Sequence, residues 1–496
     1  MSNTLILNPA YYLRNDIHRC IIGSFEFVDE DENSYAPHCL HIIHPIIAQL
    51  LSFFSYNHKT QSQILDEISH YFQFPLEKIE EILQPMINNE KPIVKVYNGA
   101  TIVLPPKVLI KQTNKKRKES YQPQDFAIDD ILDLKTTRLY KPIHAVLELT
   151  MRCFTDCAYC YADRRGNRNT FLPTDLAVNF IREAKSLGFT DIEINGGEVL
   201  LHPGIREILS TLRDCGYSSL ISTKKPLEED ELLFLKEIGM TRLQISLDSL
   251  SDATAKRLIN TNNGYIQKMI KTMELLDQYE FHWQVNTVLT KHNCNINNIA
   301  TLLNALQSYY HLVGVKLSPM GYPMYKNPAT FENLHASKEQ LLSIRQYINH
   351  LKTQKEHLKI TFSDEDKESD YQCKKWDVFN NRSFCTANQK AFNVLPDGHV
   401  TICEELYWNP AFVIGDISKN NIMEIWNSPK AMELFFISNK TISKESACFT
   451  CREITNCRQR KGVCWKLVIM AYGDDHWDYS DPRCPYAPMP INKFYV

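Results

Sequence analysis

The stretch "CFTDCAYC", Cys153–Cys160, decides the fold of this 496-residue chain. Its three cysteines follow the apolar run His144–Thr150, with three and then two residues between them. A short loop of this kind can wrap three thiolates around one compact centre, and soft thiolates favour iron–sulfur clusters, zinc or Cu(I). A structural zinc site would need a fourth protein ligand, and none follows nearby. The spacing therefore favours a cubane cluster with one iron open to a substrate or cofactor.

Composition limits the classes of partner. The chain is 44% apolar with a formal net charge of -3, which gives no indication of nucleic-acid or anionic-membrane binding. The first residues lack a signal-peptide pattern, and the longest apolar stretch, 42–54, is too short to span a bilayer. We therefore expect a cytoplasmic protein. Disulfides are rare in that compartment, so the eleven clustered cysteines among its 15 indicate metal binding, while the four scattered ones are interpreted as small buried hydrophobes.

Strand and helix patterns alternate from residue 142 onward. Amphipathic helices separate six predicted strands: His144–Thr150, Asp191–Asn195, Ser219–Thr223, Arg242–Asp248, Trp283–Thr290 and Val315–Ser318. Such repeats predict a parallel sheet with helices outside, and six units are too few for a closed eight-stranded barrel. We expect an α/β fold with a partial (β/α)6 TIM-type barrel over residues 142–365. Cys153 would then begin a loop at the catalytic face.

The loop resembles the radical S-adenosylmethionine (SAM) signature, including the aromatic Tyr159 before its last cysteine. The resemblance implies a [4Fe–4S] cluster on Cys153, Cys157 and Cys160, and a 5′-deoxyadenosyl radical formed from SAM. "NGGEVLLHP" matches the element that meets the SAM amino group, although Val199 stands where the family often has proline. The SAM residues implied by the resemblance are Tyr159, Gly196, Gly197, Glu198, Ser222, Ser246, Asp248 and Arg257. Taken singly, each polar residue at a strand end could equally be a helix cap.

The cysteine-rich region 366–496 resembles the SPASM domain, which holds two further [4Fe–4S] clusters. The pattern assigns Cys373, Cys385, Cys403 and Cys464 to auxiliary cluster I. It assigns Cys448, Cys451, Cys457 and Cys484 to auxiliary cluster II. Six residues rather than three separate Cys457 from Cys464, and without Cys373 cluster I would have an open iron for a substrate thiolate. One or two zinc sites are the alternative.

Glu404, after Cys403, is a candidate catalytic acid, with a plain surface glutamate as the alternative.

Residues 1–110 form a predicted winged-helix unit: two strands, an acidic turn at 29–34, three helices (Pro45–Ser55, Gln61–Phe72, Pro75–Asn89) and a hairpin turning at Asn98-Gly99. The unit has 7 Lys and Arg against 12 Asp and Glu, which argues against DNA binding. It resembles the PqqD-like domains of peptide maturases, which bind a leader peptide as an added strand. Residues 111–141 read as a linker, and the basic run Lys115–Lys118 as part of it rather than as a nucleic-acid patch.

Together these features resemble a radical SAM/SPASM maturase of a ribosomally synthesised precursor peptide. The layout of the whole chain, including "CAYCYADR", is similar to that of maturases of cysteine-rich peptides, and thioether crosslinking is the leading reaction. Carbon–carbon or carbon–oxygen crosslinking, epimerisation, sulfatase-type protein maturation and a non-catalytic cluster-bearing scaffold are the alternatives. The resemblance implies the peptide leader and an electron donor such as flavodoxin or ferredoxin as partners. The net charge and the short apolar stretches predict neither nucleic acid nor membrane as a partner.

Overall fold

The computed structural model describes residues 4–24, 39–55, 59–111, 120–128, 131–162, 169–324, 328–352, 359–363 and 376–492. The chain divides into two compact units, Met1–Lys141 and Pro142–Val496. The predicted acidic turn at 29–34, the basic run 115–118 and Cys373 lie outside the described residues. Among the described helices, none combines the length and apolar character that crossing a bilayer requires.

The described residues of the N-terminal unit form small antiparallel sheets and three helices. Its elements are β1 Leu5–Leu7, β2 Tyr11–Asn15, β3 Cys20–Ser24, β4 Leu40–Ile43, α1 Pro45–Ser52, α2 Gln61–Phe72, α3 Leu76–Leu83, β5 Ile93–Tyr97, β6 Ala100–Leu104 and β7 Leu109–Lys111. The strands pair in the order β2–β3–β4, as the hairpin β5–β6, and as β1 with β7. This succession of strands, three helices and a hairpin agrees with the order expected from the sequence.

Local chemistry explains where these elements begin and end. A capping box starts α2, because Thr60 and Gln63 each accept a hydrogen bond from the other's backbone amide. The third predicted helix is shorter than expected: α3 ends at Leu83 and a 3-10 turn with Pro85 follows. The hairpin turns at Asn98-Gly99, where both residues have positive φ, as a tight type I′ turn requires.

The described part of the predicted linker, residues 120–128 and 131–141, packs on the N-terminal unit instead of forming an open connection. Phe126 is 1% exposed within the core of that unit. Arg19, which is fully buried, donates hydrogen bonds to the carbonyls of Thr136 and Arg138. Asp16 accepts a 2.9 Å bond from Arg19 Nε and also bonds backbone amides of this segment. Because this segment is polar and charged, its sequence did not predict these buried contacts.

In its described ranges, the second unit is built on two five-stranded sheets. Its strands are β8 His144–Thr150, β9 Asp191–Gly196, β10 Ile221–Thr223, β11 Arg242–Ser246, β12 His282–Leu289, β13 Leu312–Pro319, β14 Ile360–Phe362, β15 Ala391–Val394, β16 His399–Thr401 and β17 Val413–Asp416. One sheet is parallel throughout, in the order β10–β11–β12–β13–β14. The other has the order β17–β16–β15–β8–β9. No strand pairing joins β9 to β10 in the described ranges, so the six predicted strands form an open arrangement.

Helices cover the apolar side of these sheets. They are α4 Thr174–Ser186, α5 Ile205–Asp214, α6 Glu229–Glu237, α7 Asp252–Ile259, α8 Tyr265–Gln278, α9 Ile296–Leu306, α10 Pro328–Leu334, α11 Lys338–Lys352, α12 Trp376–Asn380, α13 Ile422–Trp426, α14 Pro429–Phe435 and α15 Trp465–Tyr472. One large apolar core joins the strands and helices from Ala145 to Ile469. Burial of this core is the main source of stability for the unit.

The cysteine-rich region continues the barrel sheet. Strand β15 pairs in parallel with β8, with Ala391 opposite His144 and Val394 opposite Leu147. Asn393 on β15 donates a 2.7 Å hydrogen bond to the buried Glu148 on β8. The cysteine-rich region therefore extends the sheet of β8 within the compact unit Pro142–Val496.

Candidate active site

The three-cysteine loop follows β8 and is fixed to the end of α7. The amides of Asp156 and Ala158 donate bonds of 3.0 and 2.8 Å to the carbonyls of Ile259 and Leu258. Cys153, Cys157 and Cys160 are all partly exposed. Burial raises the pKa of the Cys157 thiol. These contacts hold the loop at the carboxyl end of the sheet, with its thiols accessible to a bound group.

Two glycines permit close packing against the cysteine loop. Gly196 has φ +119°, and a Cβ on Gly197 would lie 2.2 Å from the carbonyl oxygen of Arg152. Gly197 and Glu198 donate amide bonds of 2.6 and 2.7 Å to Thr150 and Arg152. A side chain at Gly197 would therefore separate the end of β9 from the cysteine loop.

Glu198 presents a buried carboxylate with one uncommitted oxygen. Its Oε2 accepts bonds of 2.8 Å from Thr223 Oγ1 and 3.2 Å from the Lys224 amide. Its Oε1 is buried and has no hydrogen-bond partner within the described ranges. Burial raises the pKa of Glu198, with the hydrogen bonds opposing that effect. An ammonium group beside Oε1 would satisfy this atom and favour the charged carboxylate, so the residue fits the amino group of SAM.

Asp248 braces the cysteine loop. Its Oδ2 accepts a hydrogen bond from the buried Tyr159 hydroxyl, and its Oδ1 accepts a 2.9 Å bond from the Val288 amide. Lys224 Nζ lies 3.7 Å from the same carboxylate and 5.6 Å from the centre of the Tyr159 ring. Each carboxylate oxygen accepts one of these bonds, so Asp248 positions Tyr159; that it also faces SAM stays a prediction.

The other predicted SAM residues are more dispersed. Ser222 Oγ accepts a 2.8 Å bond from Gln244 Nε2, and Ser246 ends β11 half-buried. Arg257 is exposed on α7, one residue before the Leu258 carbonyl that bonds the cysteine loop. The structure therefore brings Tyr159, Glu198 and Asp248 close to Lys224. It gives Ser246 and Arg257 no direct bond to them among the described residues.

A polar row covers the face of the parallel sheet that is turned away from the helices. Ser222, Gln244 and Gln284 lie opposite one another in register, and Gln284 Nε2 donates a 3.1 Å bond to Gln244 Oε1. In the next row Lys316 lies opposite Asn286 and is exposed. Alternate residues such as Ile245 point into the apolar core. This face can accept a polar or extended substrate.

Three C-terminal cysteines predicted for auxiliary cluster I are neighbours. Burial raises the pKa of Cys385 to about 11, and the charge of Cys464 contributes. Burial, with smaller effects of Cys385 and Cys464, also raises the pKa of Cys403. The longer loop before Cys464 includes a π-helical turn, Asn456–Lys461, and Gly462 at φ +72°. A Cβ on Gly462 would lie 2.8 Å from Cys385 Cβ, so this glycine allows Cys464 to approach Cys385.

The four cysteines predicted for auxiliary cluster II form a second neighbourhood. Burial raises the pKa of Cys484 to about 11, and the charges of Cys448, Cys457 and Cys451 add to the shift. Within the described ranges, no three His, Cys, Asp or Glu side chains converge on a single-ion site. A cubane does not require such convergence, because each of its irons takes its own thiolate.

Glu404, which directly follows Cys403, lies close to the loop that carries Cys153, Cys157 and Cys160. Its Oε2 accepts a 3.1 Å bond from Nδ2 of Asn195, the residue before Gly196. Burial raises the pKa of Glu404, and the nearby Glu405 adds to the shift. Its charge also contributes, after burial, to a raised pKa of Tyr161, directly after Cys160. The half-buried Glu404 therefore adjoins both cysteine loops.

Sequence reasoning missed several residues of this site. Lys224 directly follows strand β10, and Tyr161 stands within "CAYCYADR", yet neither position was singled out from the sequence. Arg382 and Arg458, whose guanidiniums contact C-terminal cysteines, carried no sequence signal. The cysteines that these two arginines contact lie 75 and 10 residues away in sequence.

Comparisons with known proteins agree with this geometry. Residues 147–300 match the model of the radical SAM superfamily, and residues 385–452 match that of the SPASM iron–sulfur cluster-binding domain. The chain is 24% identical over 356 residues to a PqqA peptide cyclase of Methylobacterium nodulans, covering 71% of this chain and 89% of that protein. It is 24% identical over 362 residues to an AdoMet-dependent heme synthase of Methanosarcina barkeri, covering 69% and 95%.

A solved structure shares the fold of nearly the whole chain. SuiB of Streptococcus suis, bound to S-adenosylmethionine, has a TM-score of 0.62 at 15% identity and covers 97% of this chain and all of its own. Its complex with the precursor peptide SuiA has the same TM-score at 14% identity, covering 98% and 100%. The domain matches imply [4Fe–4S] clusters and SAM as cofactors. The chain therefore contains a radical SAM domain and, C-terminal to it, a SPASM iron–sulfur cluster-binding domain.

Proposed function

We propose that this enzyme modifies a ribosomally synthesised precursor peptide, joining a cysteine sulfur to a carbon of the same peptide. The observation that carries the proposal is the fold shared with SuiB over 97% of the chain, including the N-terminal unit. SuiB has been solved with its precursor peptide, and the curated relatives include PqqA peptide cyclases. A peptide substrate is consistent with the long polar face beside the cofactor site.

The N-terminal unit is proposed to bind the leader of that peptide. Strand β4 is terminal in the order β2–β3–β4, which suits addition of a peptide strand. Beyond it, the β5–β6 hairpin carries Val94 and Val96, which are 57% and 73% exposed. Exposed apolar side chains on a strand favour binding of another chain. We expect Val96→Glu to weaken binding of a fluorescent leader peptide about tenfold, with Val313→Glu in the second unit as the control.

The cofactor assignments follow the sequence. Cys153, Cys157 and Cys160 are proposed to hold the cluster that binds SAM, and Glu198 Oε1 to accept from the SAM ammonium. When bound, the cluster and SAM supply the 5′-deoxyadenosyl radical that abstracts a substrate hydrogen. Gly197 keeps the two elements in contact, and the packed core beneath them excludes water from one side.

Sulfur-to-carbon bonding removes a hydrogen atom from carbon, and a proton and an electron from the thiol. The hydrogen atom goes to the 5′-deoxyadenosyl radical. An auxiliary cluster is proposed to accept the electron. Glu404 is proposed to accept the proton, because it lies beside Tyr161 and Asn195 at the cysteine loop and burial raises its pKa, which makes its carboxylate a stronger base. Cys385, Cys403 and Cys464 are proposed to hold auxiliary cluster I, completed by Cys373 or by a substrate thiolate. A flavodoxin or ferredoxin is proposed to supply electrons.

Mass spectrometry of a co-expressed small peptide encoded nearby tests the proposal. Thioether formation removes two hydrogens for each crosslink and also consumes one iodoacetamide-reactive thiol. Carbon–carbon or carbon–oxygen crosslinks remove two hydrogens and leave every thiol reactive, whereas epimerisation leaves the mass unchanged. The variant with Cys153, Cys157 and Cys160 replaced by alanine is the control. Unmodified peptide with the active enzyme would contradict the proposal.

Two other functions would give different results. A small-molecule substrate, as in the heme synthase relative, would leave activity independent of leader binding, so Val96→Glu would have no effect on turnover. A non-catalytic scaffold would release no 5′-deoxyadenosine from SAM under reducing conditions. Sulfatase-type maturation would convert a single residue of a protein without a crosslink.

A further inference from the structure

Two buried arginines lie beside the cysteines of auxiliary cluster II. Arg382 follows α12 and is 7% exposed, and Arg458 lies in the π-helical turn Asn456–Lys461 and is 5% exposed. Burying a guanidinium is unfavourable unless an anion and hydrogen-bond acceptors compensate the lost hydration. The groups around each arginine therefore indicate which anion it accompanies.

Arg382 reaches one of these cysteines. Its Nη2 lies 3.2 Å from Cys457 Sγ and 3.2 Å from the carbonyl oxygen of Gly462. Its Nη1 donates a 2.8 Å bond to the Phe379 carbonyl, and its Cζ lies 3.9 Å from the centre of the Phe379 ring. The ring and the two carbonyls fix the guanidinium with one edge toward the sulfur.

Arg458, in the loop between Cys457 and Cys464, contacts a second cysteine, Cys448. Its Nη2 lies 3.6 Å from Cys448 Sγ and donates bonds of 2.9 and 2.7 Å to the carbonyls of Asp478 and Tyr479. Its Cζ lies 5.1 Å from the centre of the Trp465 ring. The two arginines therefore contact different sulfurs of the same set.

Neither arginine forms an ion pair with a carboxylate of the described residues. The nearby buried Asp481 pairs with Arg483 at 2.7 Å. Nε of Arg382, and Nε and Nη1 of Arg458, are buried without a hydrogen-bond partner in the described part of the chain. A [4Fe–4S] cluster with four thiolates is doubly negative when oxidised and triply negative when reduced. Two guanidinium charges balance the oxidised form and stabilise the reduced form further.

We propose that Arg382 and Arg458 are the counter-ions of auxiliary cluster II and raise its reduction potential, which makes the cluster a ready acceptor of one electron. The inference rests on the proposed ligands Cys448, Cys451, Cys457 and Cys484. Positive charge and hydrogen bonds to sulfur both favour the more negative redox state. The step transfers one electron from a reductant, such as dithionite, and moves no proton or atom. Both arginines are positioning residues, because they act through the cluster.

The test measures the potential of the auxiliary clusters in the full chain. Cys153, Cys157 and Cys160 are replaced by alanine to remove the SAM cluster signal, and reduction is followed by electron paramagnetic resonance during a dithionite titration. We expect Arg382→Gln and Arg458→Gln each to lower the ratio of reduced to oxidised cluster at least tenfold at a fixed potential. For a one-electron couple this equals a shift of about 59 mV. Arg460→Gln, an exposed arginine of the same loop, should leave the potential unchanged.

Iron content separates the possible failures. Gln variants that keep full iron and the parent potential would overturn the proposal. If Arg458→Gln loses iron, Arg458→Lys decides: recovery of iron and potential supports a charge effect, and continued loss shows a packing role and overturns it. Cys484→Ala tests the ligand assignment separately. If it loses no iron, the assignment fails, and the proposal that rests on it fails for that reason.

Discussion

Replacing Glu198 with glutamine tests the structural account of SAM binding most directly. Oε2 of Glu198 accepts two bonds, from Thr223 and from the Lys224 amide, and the glutamine oxygen must take that place to satisfy both donors. The new NH2 group then occupies the position of Oε1, where we expect the SAM ammonium. One charge-assisted hydrogen bond is lost and two donors face each other.

A hydrogen bond to a charged group contributes about 1.5–3 kcal/mol, so the Kd for SAM should rise roughly 10- to 100-fold. The assay is equilibrium binding of SAM to the reconstituted enzyme, with iron content measured in parallel. Glu237→Gln, an exposed residue of α6, is the control and should not change the Kd. An unchanged Kd for Glu198→Gln at full iron content would refute the reasoning.

The same residue gives a pH dependence of known sign. Burial raises the pKa of Glu198 in the folded protein without SAM. Its ionised form therefore opposes folding, and this loss of stability develops as pH rises from the unfolded pKa through the folded value. SAM affinity should fall as pH decreases through that raised pKa, because the protonated acid cannot pair with an ammonium. In Glu198→Gln, both dependences should be absent.

Three further predictions concern stability and substrate binding. Gly197→Ala places Cβ 2.2 Å from a backbone oxygen. It should lower the free energy of unfolding by about 1–3 kcal/mol in thermal unfolding and reduce iron loading. Gly321→Ala, with open space around it, is the control and should change neither quantity. Asp16→Asn removes the carboxylate that pairs with the buried Arg19 and should lower the free energy of unfolding in urea by about 3–5 kcal/mol. Glu67→Gln, in an exposed pair with Lys59, is the control and should lower it by at most about 1 kcal/mol. Lys316→Gln should raise the KM for the peptide without changing the rate of SAM cleavage in the absence of peptide. If the rate of SAM cleavage without peptide changes as much as peptide modification does, Lys316 does not act through a substrate contact.

Much of the site was predictable because it is local. The cysteine spacing, the Gly-Gly-Glu element and the strands that precede them are each set within about ten residues, where chain geometry limits the possibilities. The C-terminal pattern likewise indicated which cysteines would be neighbours. The structure adds the reason that the irregular spacing before Cys464 is tolerated, namely the turn at Gly462.

The sequence by itself determined the spacing of the cysteines proposed as ligands and the alternation of strands and helices, since these depend on residue order and backbone periodicity over short distances. Only the tertiary structure decided that Asp248 braces Tyr159, that β15 joins β8, that residues 120–128 and 131–141 pack on the first unit, and that Arg382 faces Cys457. These contacts join residues about 75 to 250 positions apart. Their partners are selected by the order of strands and by burial, which no local pattern specifies.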